Sequence, residues 1–139
     1  MQLLDLIQIT FLYGMFTLFK SKPILKDLIP SNHVDIHSHL LPGIDDGAKS
    51  FDDSLKLVKT LQGFGFSQFI TTPHVMQHVW SNSTEQIKEK ETATLLELDK
   101  NDIRLPFRAA AEYMLDDHLM QLVQSEKLLT LKKNHVLVE

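Results

Sequence analysis

His37 and His39 stand two residues apart in the run Val34-Asp35-Ile36-His37-Ser38-His39-Leu40-Leu41-Pro42-Gly43-Ile44-Asp45-Asp46-Gly47, and two carboxylates follow a short turn later. Imidazole nitrogens with carboxylate oxygens bind manganese, iron or zinc better than a soft, thiolate-seeking ion. Val34 and Ile36 alternate with Asp35, His37 and His39, which predicts a strand over 34–39 with the three polar residues on one face. Polar side chains on a buried strand face are costly unless something satisfies them, and a metal ion does so. The alternative is a surface strand with solvated histidines, and H-x-H spacing alone does not separate the two. Further candidate ligands close later runs: His74 after Phe69-Ile70-Thr71-Thr72-Pro73, Glu112 after Ala109-Ala110-Ala111, and Glu139 after Val136-Leu137-Val138. In a parallel α/β barrel the C-terminal ends of the strands converge on one site. Four strands ending in His, His, Glu and Glu therefore predict a polynuclear metal cluster.

The elements that must position these residues alternate strand and helix. Ser50-Phe51-Asp52-Asp53 is a capping signal with acidic residues in the first turn, and Phe51, Leu55, Val58 and Leu61 recur at helical spacing. Gly63 and Gly65 end that helix, and a second strand is expected over 66–72. A second helix runs from Ser83-Thr84-Glu85-Gln86 to about Lys100; Ile87, Leu95 and Leu98 are its sparse apolar positions, and Lys88-Glu89-Lys90-Glu91 reads as a wet outer face. A third strand is expected over 103–111, a third helix opening at Asp116-Asp117, and a fourth strand over 136–139. This β-α-β-α-β-α-β order is half of a barrel.

The segments VDIHSHLLPGIDDGAKS, ITTPH, AAEYMLDDH and LLTLKKNHVLVE resemble the polymerase-and-histidinol-phosphatase (PHP) superfamily. Within it they resemble the manganese-dependent bacterial tyrosine-protein phosphatases of capsule and exopolysaccharide clusters. H-x-H is shared with many barrel hydrolases, whereas H-S-H-x-x-P-G-x-D-D-G-x-K-S is specific to the phosphatase branch. The resemblance spans residues 28–139 and implies the N-terminal portion of a PHP-type distorted TIM-like (β/α)7 barrel. It implies metal ligation by His37, His39, Asp46, His74, Glu112 and Glu139, with Asp46 and Glu139 also acting in catalysis. Asp35 and Asp45 are expected to orient ligand imidazoles through their free N–H groups, although Asp45 could also be a turn former. Two or three divalent ions are implied, Mn2+ first, with Fe or Zn as alternatives. The implied substrate is a phosphotyrosine protein such as a bacterial tyrosine kinase, in the cytoplasm, linked to polysaccharide export. Basic residues often follow the second-strand histidine in such phosphatases. Here Val75-Met76-Gln77 follows, so phosphate recognition must differ or come from the part of the barrel beyond Glu139.

Composition narrows the alternatives. A net charge of -4 argues against a nucleic-acid surface. The absence of cysteine removes disulfides, thiolate zinc sites and a cysteine nucleophile. Of the remaining histidines, His33 and His78 are expected at the surface, His118 in the third helix, and His135 at the start of the last strand. Met76 and Trp80 suit either an aryl pocket or loop anchoring. Residues 1–27 read as a leader. Leu6 to Phe19 carry no charge, too short a stretch to span a bilayer comfortably. An upstream-start artefact with Met15 as a second start, an interfacial helix and a membrane anchor are the three readings. The stop on Glu139 is read as truncation of a longer protein, with exposed strand edges that favour oligomers. The rival functions are a histidinol-phosphatase-like or amidohydrolase-like metal hydrolase, and a non-catalytic metal-binding fragment.

Overall fold

The computed structural model describes residues 22–125 and 128–139. The leader readings therefore fall mostly outside the described residues. Leu25–Leu28 forms one helical turn (α1), followed by strand β1 at His33–Asp35. Helix α2 (Phe51–Gly63) begins where the Ser50 side chain accepts a hydrogen bond from the Asp53 N–H, with Asp52 and Asp53 against the positive end of the helix dipole. Gly65, at φ +107°, then takes a left-handed turn that a side chain would strain, and β2 (Phe66–Thr71) starts at once. Strand β3 (His74–Val75) leads to α3 (Thr84–Lys100), opened by a capping box between Ser83 and Gln86. Strands β4 (Phe107–Ala109) and β5 (Glu112–Tyr113), helix α4 (Asp117–Gln124) and β6 (Leu137–Val138) complete the order.

All the strand pairs are parallel, in the orders β1-β2-β4 and β3-β5-β6. β3 follows β2 after Thr72-Pro73, and β5 follows β4 after Ala110-Ala111. The Ala110 N–H bonds to Thr71 O at 2.9 Å and the Glu112 N–H to Pro73 O at 3.0 Å, so the ladder crosses both breaks. The result is a run of strand lines in chain order, interleaved with helices, as in part of a parallel α/β barrel. Among the described residues no helix is long and apolar enough to cross a membrane.

One sheet face packs under the helices: Phe69, Phe107 and Ala109 meet Val58, Ile87 and Leu98 in the core. The other face, with Val34, Ile36, Gln68, Ile70 and Arg108, lines a groove of about 830 Å³. Arg108 spans this groove, donating to Thr130 O at 3.0 Å and to Leu131 O. Arg104 is exposed beside Asp99 and Asp102, at 3.8 Å from each.

Several expectations need correction. β1 stops at Asp35 rather than His39, and β4 starts at Phe107 rather than Ile103. Pro106 precedes β4, and its missing N–H suits the start of a strand and not the interior. His135 does not open the last strand; it pairs with Lys132 in a tight turn. The buried stripe of α3 is Ile87, Glu91, Thr94 and Leu98, while Leu95 is 39% exposed. Glu91 is thus not on a wet face. It tolerates burial because Lys88 Nζ lies 2.6 Å from its carboxylate.

Candidate metal centre

His74 and Glu112 are register partners across β3 and β5, so their backbones lie one strand spacing apart, about 4.8 Å. Glu112 in turn pairs with Leu137, which puts Glu139, two residues on, over the same face. His37 and His39 arrive by another route. After β1 ends, Ser38 O accepts hydrogen bonds from the Thr72 N–H at 2.7 Å and from Thr71 Oγ1 at 2.8 Å. That pins the chain across the strand ends and swings both imidazoles towards His74. The acidic turn closes over them, with the Ala48 N–H on His39 O at 3.1 Å and the Gly43 N–H on Ala48 O at 2.8 Å. A Cβ on Gly47 would lie 2.3 Å from both Cβ and O of His39, so only glycine allows this approach.

The six expected ligands come together. His37 Nε2 lies 3.1 Å from Glu112 Oε1, and His39 Nε2 lies 3.4 Å from Glu112 Oε2. His74 Nδ1 is 2.9 Å from Glu139 Oε1 and 3.4 Å from Glu112 Oε2, while His74 Nε2 is 3.5 Å from Asp46 Oδ1. Three overlapping groups, His37/His39/Glu112, His39/Asp46/His74 and His74/Glu112/Glu139, each hold ligand atoms within 4.8 Å of one another. His37 and Asp46 form the open rim, and Glu112 is buried at the centre.

The two supporting aspartates behave differently. The Asp45 side chain is fully buried, and its Oδ2 accepts from His39 Nδ1 at 2.8 Å and from the His74 N–H at 3.1 Å, while Oδ1 accepts from the Gly47 N–H at 2.9 Å. Burial pushes its pKa up, but the His39 hydrogen bond and the two amides outweigh it and hold the carboxyl below its usual range. The same bond to Asp45 raises the pKa of His39 against desolvation, helped by the charges of Asp45, Glu112 and Asp46. Asp35, by contrast, does not meet an imidazole. Its Oδ1 accepts from the backbone N–H of His37 at 3.3 Å, and its Oδ2 has no partner.

A cation fits this donor set. Asp45, Asp46, Glu112 and Glu139 crowd around three imidazoles, and the nearby Lys49 Nζ donates to the backbone Asp45 O at 3.2 Å. The buried His74 Nδ1 makes no hydrogen bond despite its short distance to Glu139, and an ion placed between them would satisfy both groups. Lone pairs also limit the ion count. With Asp45 holding Nδ1–H of His39, only Nε2 is free to ligate, and neutral His74 has one lone pair for two candidate groups. His37/His39/Glu112 and His74/Glu112/Glu139 could each hold an ion without competing for an imidazole lone pair. A third ion at His39/Asp46/His74 needs a ligand beyond these neutral imidazoles.

Sequence reasoning overlooked Asn82, whose Nδ2 donates to His74 O at 2.8 Å and to Ile44 O at 3.0 Å, tying the His74 strand end to the acidic turn. No spacing signal marks it. Trp80 stacks on His74, with ring centroids 4.7 Å apart and planes at 13°. His33, His78, His118 and His135 lie outside the cluster; His78 and His118 line a separate cavity of about 460 Å³.

Parallel strands whose carboxyl ends carry converging histidines and carboxylates define part of an α/β barrel-type domain with a candidate metal site. The chain belongs to the CpsB/CapC family of capsular polysaccharide synthesis, which it matches over residues 33–139. Tyrosine-protein phosphatase YwqE of Bacillus subtilis is 30% identical over 107 residues, 76% of this chain and 42% of that protein. CapC of Staphylococcus aureus is 26% identical over 95 residues, 68% of this chain and 37% of that one. A solved structure from the pair YwqE of B. subtilis and CpsB of Streptococcus pneumoniae, metal-dependent tyrosine phosphatases, superposes with a TM-score of 0.69 at 28% identity, over 76% of this chain and 43% of that one. The chain thus spans less than half the length of these relatives, and its fold corresponds to part of theirs.

Proposed function

We propose that this protein supplies the His/carboxylate centre of a metal-dependent phosphatase acting on phosphotyrosine in proteins, with a bacterial tyrosine kinase of capsule synthesis as the substrate and the cytoplasm as its location. The observation that carries this reading is the convergence of His37, His39, Asp46, His74, Glu112 and Glu139 into overlapping ligand groups, in a chain whose relatives include tyrosine-protein phosphatases. Two divalent ions, Mn2+ first, would be held by His37, His39, His74, Glu112 and Glu139. Such ions supply Lewis-acid charge to phosphate oxygens and make water a nucleophile at neutral pH. The protein's own groups do the rest. Asp45 keeps the Nε2 lone pair of His39 directed at Glu112. Asp46, with a side chain 60% exposed at the rim, is placed to take a proton from the attacking water. A phenolic leaving group, with a pKa of about 10, needs little help from a general acid.

The test is Mn2+-dependent hydrolysis of a phosphotyrosine peptide, with histidinol phosphate in parallel and His37→Ala as the control. Hydrolysis of the peptide that is lost in His37→Ala supports the reading. Preference for histidinol phosphate would favour the other PHP hydrolase, and ion binding without turnover of either substrate would favour a metal-binding module.

A further inference from the structure

We propose that Trp80 is a positioning residue for the metal centre: its indole fixes the ring plane of His74 and strengthens ion binding at His74, Glu112 and Glu139. The inference rests on the metal reading above and adds to it a residue that ligates nothing.

The loop after β3 does not need the indole to hold its shape. Met76 and Trp80 exchange backbone hydrogen bonds of 3.0 and 2.9 Å, and the Asn82 N–H bonds to Trp80 O at 2.7 Å. The Asn82 side chain then fastens the loop to His74 O and Ile44 O. His78 absorbs the left-handed turn, at φ 71°. With the backbone closed in this way, the Trp80 indole is laid in a near-parallel stack on His74. On its other contact the imidazole meets His39, at 4.5 Å between centroids and 43° between planes. Held between these rings, His74 keeps Nδ1 towards Glu139 and Glu112.

An ion on Nδ1 withdraws electron density from the imidazole and makes it more cationic. The electron-rich indole face then attracts it more strongly. A contact that strengthens on ion binding must raise ion affinity by the same factor. The whole of such an aromatic pair is worth a factor of about 2 to 12, which bounds the gain in ion affinity from above.

Trp80 is also the single tryptophan of the chain, so it reports on its own role. Mn2+ or Co2+ titrated into the protein should quench its fluorescence, and His74→Ala should weaken that quenching. By calorimetry, Trp80→Leu should bind Mn2+ more weakly, by up to about 12-fold, at one class of site, while Trp80→Phe retains most of the affinity. Binding at His37/His39/Glu112 should be unchanged in both variants, which shows that they are folded. Equal affinities in wild type and Trp80→Leu would overturn the positioning role alone. No Mn2+ binding by the wild type would overturn the metal reading and this proposal together.

Discussion

Asp45→Asn removes one charge and changes no volume, so it isolates what the buried carboxylate does. In the wild type both oxygens accept, from His39 Nδ1, the His74 N–H and the Gly47 N–H. An asparagine has one acceptor oxygen and one NH2 group. If its oxygen faces Gly47, its NH2 meets the His74 N–H and forces His39 into the Nε2–H form, which takes away the metal lone pair. If its oxygen faces His39 and His74, its NH2 meets the Gly47 N–H. Either way two buried donors face each other, at about 1–3 kcal/mol. Loss of the charge-assisted bonds brings the destabilisation to about 2–4 kcal/mol. Loss of a ligand's hydrogen-bond partner lowers metal affinity by about 10- to 100-fold. Urea unfolding of the ion-free protein and Mn2+ calorimetry measure the two effects separately. A wild-type urea midpoint together with unchanged Mn2+ affinity in Asp45→Asn would refute the whole line of reasoning.

Glu112 belongs to two ligand groups and His37 to one, so Glu112→Gln should lower Mn2+ stoichiometry, read by atomic absorption after dialysis, more than His37→Ala does. Gly47→Ala should destabilise the fold by about 1–3 kcal/mol in urea, because the new Cβ meets backbone and Cβ atoms of His39 and no flexible side-chain end. The depressed Asp45 carboxyl contributes stability that is complete above its unfolded value of 3.8 and lost as pH falls through its lower folded value. The raised His39 contributes stability that is complete below 6.5 and lost as pH rises through its higher folded value. The ion-free protein should therefore show its highest urea midpoint between these values, whereas Mn2+ affinity should fall as pH drops through the raised His39 value, because the ion must displace that proton.

The helices were the legible part of the fold. Ser50 and Ser83 announce their caps through polar residues three positions on, and the α2 stripe at Leu55, Val58 and Leu61 follows from period alone. The α3 stripe was misread because hydropathy ranks Leu95 above Glu91. Burial there follows the angle around the helix, and Glu91 carries its own counter-ion in Lys88. The strands were harder. The second ends before Pro73 much as expected, but the first stops at Asp35, and the third starts only after Pro106 and ends before alanines that give no β signal.

The residues that cluster were legible, yet a shared strand face is not what brings His37 and His39 to the cluster. Val34 and Ile36 line the open groove, so a strand continuing to His39 would have turned His37 and His39 to the opposite face with buried Asp35. They would then have pointed under the helices, away from His74 and Glu112. They reach the cluster because the strand stops at Asp35, whose carboxylate takes the His37 N–H, and because Ser38 O docks on Thr71 and Thr72. His74, Glu112 and Glu139, by contrast, owe their positions to alternation and register in the usual way. One centre is thus assembled by two devices, a sheet face and a broken strand. Spacing in the sequence reveals the first, and only the hydrogen bonds that end β1 reveal the second. Asp45 and Gly47 belong to the second device, because the turn they build must lie against His39 at a distance that no side chain on residue 47 would permit.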